Sequence, residues 1–158
     1  MIKVRLQIGD GDILDTFSEY GLIYLDSDER LAPPTKGFET TSYAEEEGEH
    51  TDAKTVDDAF DYKVKFLVMA KNENIENANI IIRDFNSRLY TKSGDVKTFK
   101  QVAFYNDLNR VKIVGYPQPI AEATDFWRDR KGKVSDAVQI EWTIRVTKPS
   151  LCDFATKI

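Results

Sequence analysis

Ten residues near the end of the chain, AVQIEWTIRV from Ala137, alternate without a break. Val138, Ile140, Trp142, Ile144 and Val146 fall on one side, and Gln139, Glu141, Thr143 and Arg145 on the other. A period of two is that of a strand with one dry face, and a helix would scatter the same residues around its axis. This stretch therefore commits the chain to a sheet. The rhythm also opens the chain, with Ile2, Val4, Leu6 and Ile8 set against Lys3, Arg5 and Gln7 before Gly9 and Gly11 end it. It returns in DYKVKFLVMA, where Tyr62, Val64, Phe66 and Val68 share a face and Lys63 and Lys65 open the other before Leu67 and Met69 cover it. YGLIYLDS from Tyr20, KQVAFYND from Lys100 and RVKIVGYPQPI from Arg110 are further extended segments, and the turn residues of YNDLNR predict a hairpin between the last two.

One stretch changes period. In NIENANIIIRDFNSRLYTKSG, Ile75, Ala78, Ile82, Phe85 and Leu89 fall on one helical face, with Asn72 or Asn74 as N-cap and Gly94 as stop. The spacing predicts one helix at about 75–90. Strands that do not alternate with helices argue against a doubly wound parallel sheet. The expected fold is mainly β, an antiparallel β-sandwich or partly open barrel with that helix packed on one mouth or face. The whole chain, 1–158, is read as a single domain with a C-terminal tail at 148–158.

Pro33 and Pro34 bar a central strand or a helix interior and hold the backbone extended. Beyond them the composition turns polar and acidic, with Phe38 and Tyr43 as scattered aromatics, so 33–55 is read as a protruding loop or hairpin arm. A connection of this length in a small domain usually has a function of its own or no order.

Charge narrows the partners. Lys and Arg number 22 against 27 Asp and Glu, a net charge of −5, which opposes binding that relies on neutralising phosphates. Neither nucleic acid nor a membrane surface is an expected partner. The N-terminus has no basic stretch leading into an apolar run, and no later run is long enough to cross a bilayer, so synthesis in a cytoplasm is expected. Cys152 is the one cysteine, which removes intrachain disulfides and zinc patterns built on two cysteines.

The chemistry-bearing clusters each have a plainer reading. EEEGEHTD holds Glu45, Glu46, Glu47, Glu49, Asp52 and the one histidine, His50, donors enough for a divalent ion. Adjacent carboxylates on a loop diverge, however, and a metal site needs ligands held by further contacts. DGDILD, from Asp10, lacks the glycine and glutamate positions of a calcium loop and reads as a polar turn. Asp57, Asp58 and Asp61 could pair for glycoside chemistry, but acids before a strand commonly mark its wet end. Cys152 has His50 as its sole imidazole partner, about a hundred residues away, and is read as a packing residue. No catalytic, cofactor or metal set is nominated. Tyr105, Tyr116 and Trp127 are candidates for stacking on sugars, which would make the chain a sandwich-type carbohydrate-binding module. Trp127 sits in DFWRDRKGKVSD, read as an exposed hairpin tip that either tucks the indole beneath it or offers it to a partner.

YGLIYLDSDERLAPPTK, then Gly48 and Asp52 in the polar loop, DYKVKFLVMA, the helix from about Ile75, KQVAFYND and RVKIVGYPQPI follow one another in an order that resembles the N-terminal domain of siphophage distal tail proteins. The resemblance runs from Tyr20 to about Val146. It implies a structural phage or prophage tail protein without catalytic activity: a β-sandwich with one helix in a hexameric ring that joins the tail tube to the tip or baseplate. Its partners would be further copies of itself and other tail proteins, and its final place the virion tail. The 33–55 arm would embrace the neighbouring subunit, with Pro33 and Pro34 at its root, Phe38 and Tyr43 as apolar anchors and Glu45, Glu46, Glu47 and Glu49 as a charged rim. Trp127 is a further candidate partner contact. EEEGEHTD stands where many family members carry a basic residue and a glycine pair, so the arm's electrostatic partner differs here. KPSLCDFATKI alone follows the last strand, so a sugar-binding insertion in a C-terminal domain is not implied. Tail-tube subunits share a related sandwich and form the alternative within the same class.

Overall fold

A computed structural model describes residues 4–28, 32–35, 39–41, 50–52, 56–108, 110–128, 130–131 and 136–154, with 39–41, 50–52 and 73 described by backbone alone. In chain order the elements are β1 (Val4–Ile8), β2 (Ile13–Asp15), α1 (Thr16–Tyr20), β3 (Ile23–Ser27), β4 (Glu39–Thr41), β5 (His50–Asp52) and β6 (Phe60–Met69). There follow α2 (Ile75–Arg88), β7 (Tyr90–Ser93), β8 (Val96–Phe99), β9 (Val102–Asn106), β10 (Val111–Pro117) and β11 (Ala137–Val146). Seven strands form one open antiparallel sheet in the order β2-β1-β9-β10-β11-β6-β3, while β4-β5 and β7-β8 are separate two-stranded ladders.

The alternating segments behave as their period demands. β6 and β11 pair over their full length, Phe60 with Val146 through to Met69 with Ala137. Tyr62, Val64, Phe66 and Val68 lie on the same buried face as Val138, Ile140, Trp142, Ile144 and Val146. The other face carries an ion pair between Arg145 and Asp61 (3.2 Å) and one between Lys63 and Glu141 (3.7 Å).

The sheet is not flat, because β10 serves two partners. Residues 111–115 register with β9, whereas β11 meets β10 at Tyr116 and Pro117, opposite Arg145 and Ile144. The backbones come together at Gly115, where a Cβ would fall on the carbonyl oxygen of Arg145 and lie 2.8 Å from Cγ2 of Ile144. The free side of β10 below that point is occupied by the C-terminal segment: Lys112 and Asp153 exchange two backbone hydrogen bonds of 2.8 Å. The sheet thus folds into two halves whose inner faces meet. Phe104 of β9 lies 6.2 Å from the ring of Tyr62, 6.5 Å from Phe66 and 6.5 Å from Tyr24.

A buried polar joint ties the halves where no ladder does. A bulge at Leu25 rephases β3, so that Tyr24 opposite Phe66 and Ser27 opposite Val64 both turn inward although they are three residues apart. The Tyr62 hydroxyl donates to Ser27 Oγ (3.1 Å), Tyr24 and Ser27 share a 2.8 Å bond, and Nδ2 of the buried Asn106 donates to the Tyr24 oxygen (3.0 Å). Among the described residues no buried side-chain polar atom lacks a partner, as a core of this kind requires.

Helix α2 starts where its cap predicts, with Asn74 Oδ1 accepting from the Glu76 amide (3.0 Å). Ala78, Ile82 and Phe85 face the sheet, and Phe85 stands edge-on to Trp142 with ring centroids 5.3 Å apart. The helix ends at Arg88, not at Gly94. Residues 90–99 instead fold back as the β7-β8 hairpin, with Gly94 at φ 59° as the first of its two loop residues, a conformation glycine adopts without strain. The turn read into DGDILD also gains structure. Asp15 ends β2 and caps α1, accepting from the Phe17 and Ser18 amides, and Gly21 at φ 72° closes that helix.

Two outcomes follow for stability. Gly115→Ala must push β10 off β11, so its unfolding free energy should fall by about 1–3 kcal/mol, read from denaturant melts. Burial pushes the Tyr62 phenol from 10.0 up to about 12, against the pull of its Ser27 hydrogen bond. The unfolded chain therefore loses this proton first. Stability is fully present below pH 10 and falls as the pH rises towards 12. Tyr20, raised mainly by burial, adds in the same direction, so Tyr62→Phe should shallow the alkaline decline in urea midpoint without abolishing it.

Candidate functional site

Beside the two prolines the backbone pairs with the segment that leads into β6. Pro34 offers its carbonyl to the Asp58 amide (2.6 Å), and Thr35 bridges antiparallel to Asp57. Further out, β4 and β5 pair Glu39 with Asp52, Thr40 with Thr51 and Thr41 with His50. The β4-β5 ladder stands apart from the seven-stranded sheet. Pro33 and Pro34 are half-buried. Phe38, Tyr43, Glu45, Glu46, Glu47 and Glu49 lie outside the described residues, and His50 is described by its backbone register alone.

Two of the carboxylates considered for glycoside chemistry have structural partners: Asp58 Oδ1 accepts from the Ala59 amide (3.0 Å), and Asp61 holds Arg145, while Asp57 is placed by its backbone bridge to Thr35. Asp15 is a helix cap. Among the described residues no group of three or more His, Cys, Asp or Glu is placed to hold a metal ion, and no helix is long and apolar enough to cross a membrane.

The candidate sugar-stacking aromatics do not form one surface of free rings. Tyr105 is half-buried in a row across β1, β9 and β10, with the Arg5 guanidinium 5.5 Å and the Lys112 ammonium 5.6 Å from its ring centre. Tyr116 is exposed four residues along β10 from Lys112, about 13 Å at strand rise. Trp127 is half-buried, and its backbone amide donates to the Ala137 carbonyl (2.7 Å).

Cys152 acts in packing. The Val114 amide donates to its Sγ (3.3 Å), the thiol points back to the Val114 carbonyl (3.6 Å), and burial pushes its pKa up. It thus lies against the edge of β10, next to the Lys112–Asp153 bridge.

Sequence reasoning missed a strap at 118–124 that runs between α2 and β11. Asn86 Oδ1 accepts from the Ile120 amide (2.9 Å) while its Nδ2 donates to the Ile120 carbonyl (2.8 Å). Asn79 does the same to Ala123 (2.9 and 3.4 Å). Two asparagines seven apart on the helix were the available signal, since that spacing sets them on one side, two turns apart.

This architecture has a counterpart among solved structures. The chain superposes on the Dit protein of phage SPP1, described as a paradigm of the hub adsorption apparatus in phages infecting Gram-positive hosts, with a TM-score of 0.57 at 11% identity. It has a Dit-like fold. The match covers 92% of this chain and 50% of that one, so the present chain spans about half the length of its counterpart. No family model matches the sequence, and no curated protein matches it.

The thiol offers a direct check on the packing. Cys152 in the native protein should react with iodoacetamide at least about tenfold more slowly than in denaturant at the same pH, because its thiolate is both suppressed and shielded.

Proposed function

We propose that this chain is a structural subunit of a phage or prophage tail, a distal tail-like protein that forms a ring and joins the tail tube to the tip or baseplate without performing catalysis. The observation that carries this reading is the Dit-like fold extending over 92% of the chain. In this reading the protein is made in the bacterial cytoplasm and ends in the virion tail, beside other tail proteins. A ring of six is the copy number proposed.

One feature of the molecule supports assembly. The β4-β5 hairpin has its own ladder outside the main sheet, and a ring allows such a hairpin to be buried against the next copy by one repeated heterologous contact. Within that contact Pro33 and Pro34 fix the exit direction, Phe38 and Tyr43 are the apolar anchors, and Glu45, Glu46, Glu47 and Glu49 form the charged rim.

Light scattering over a concentration series, with negative-stain images of large species, tests the reading. The full chain should form a closed ring with a central hole. Deleting 35–55 should leave a folded domain by circular dichroism but weaken assembly by at least about tenfold, as expected when a few anchors carry the contact. A truncated chain that assembles as well as the full one would remove the arm from the interface.

A further inference from the structure

The edge of β11 that faces β10 is paired at both ends and open between them. At one end Arg145 registers with Tyr116, and the Thr143 carbonyl accepts from the Gln118 amide (2.9 Å). At the other end the Ala137 carbonyl accepts from Trp127 (2.7 Å). Along an antiparallel strand, alternate residues direct both main-chain groups to the same edge. Gln139 and Glu141 therefore share the edge of 137 and 143, and among the described residues no backbone group pairs with them there.

The strap is the reason. Past Gln118 the chain is drawn from β11 to α2, where Asn86 and Asn79 take both main-chain groups of Ile120 and of Ala123. These are groups that an adjacent strand would have presented to β11. A groove of about 340 Å³ remains, lined by 120–125 and 139–141, within the size range of ligand clefts. Ile120 and Ile140 are its buried apolar residues, and Ala121, Ala123 and Thr124 keep one bank low enough for a backbone to approach.

Charge restricts what enters. The lining includes Glu122, Asp125 and Glu141 but neither lysine nor arginine. Arg83, outside the groove, is shared between Glu122 and Glu76 at 2.7 Å each, while Lys63 and Arg128 stand 3.7 Å from Glu141 and Asp125. We propose that this groove receives an extended segment of a partner protein, added to β11 as a strand across the two open rungs and carrying lysine or arginine beside them. Main-chain bonds would supply affinity and the acidic banks the choice of sequence. The inference stands apart from the ring reading, since it needs neither the arm nor a closed oligomer.

The probe is a capped heptapeptide of alternating valine and lysine, titrated into the isotope-labelled full chain by NMR. The expected result is saturable shifts at the Gln139 and Glu141 amides and along 120–125. A valine–glutamate peptide should bind about tenfold more weakly, and a lysine peptide N-methylated at alternate residues should not bind. Gln139→Pro removes an edge-facing N–H that β6 does not use and should abolish binding, with the rest of the amide spectrum reporting that the fold is intact. Glu141→Lys keeps the N–H and should weaken the lysine peptide selectively. No saturable shift at 139 and 141, equal binding of the N-methylated peptide or equal binding of the acidic one would each overturn the proposal. So would concentration-dependent shifts at the same amides without peptide that Gln139→Pro removes, because the groove would then belong to a second copy of this chain.

Discussion

Strand β10 bonds to β9 along 111–115 and to β11 at its last two residues, and the rest of the molecule is arranged around that parting. A seven-stranded sheet that stayed flat would leave one apolar face in water. Because β10 turns from one partner to the other at Gly115, the face carrying Val4, Leu6, Phe104 and Ile113 closes over the face carrying Phe66, Ile140 and Trp142. The close approach tolerates no side chain at 115. On β10 the groups exposed by the parting are met from elsewhere, Lys112 by Asp153 and Val114 by Cys152, and the far margin of the halves is tied by the Tyr24, Ser27, Tyr62 and Asn106 joint.

The second layer depends on the first. Trp142 is fully buried, touches Phe66 at 6.3 Å and Phe85 at 5.3 Å, and donates its indole N–H to the Gln118 carbonyl (2.9 Å). One side chain thus joins sheet, helix and strap, and Tyr20, edge-on to Phe85, extends the ring contacts to α1. Edge-on pairs of this kind add roughly 0.5–1.5 kcal/mol beyond their buried area. The amide clamps from Asn79 and Asn86 then hold the strap without a ladder, which is how a stretch of irregular backbone can border the core with its polar groups paired.

What was legible in the sequence was what repeats. Alternation over five or more residues fixed the inward faces of β1, β6 and β11, and the 3.6-residue spacing fixed the face of α2 down to Leu89. Shorter elements carry too few residues for a period: α1 is a five-residue helix whose signs were Asp15 and Gly21, a cap at each end and little between. The hairpin at 90–99 was hidden because Gly94 suits a helix stop and a hairpin loop equally. The Leu25 bulge shifts the parity within β3, so Ser27 gave no sign of facing inward. At the candidate site Pro33 and Pro34 signalled extended backbone, but the clamps and the open rungs arise from contacts between residues far apart in the chain. The fold can persist at 11% identity for the same reason: a dry face requires apolar residues at alternate positions, not particular ones.

The edges of the sheet are not treated alike, and the difference separates structural from interactive surfaces. β2 is three residues long, and β3 is broken by its bulge and carries Asp26, with Asp28 reaching back to the Lys63 amide (2.9 Å). Short length, a bulge and charge are the usual means of keeping an edge from recruiting another chain. The gap in β11 has neither the short length nor the bulge. It lies in the middle of a ten-residue strand paired on its other side throughout, so its open groups are held in the spacing of a ladder. A strand paired along its whole other side and unpaired over two rungs has its geometry set before any partner arrives, and the strap's small residues leave the approach clear. The same device that fastens the helix, two asparagine amides consuming the strap's backbone, is therefore what keeps this edge available.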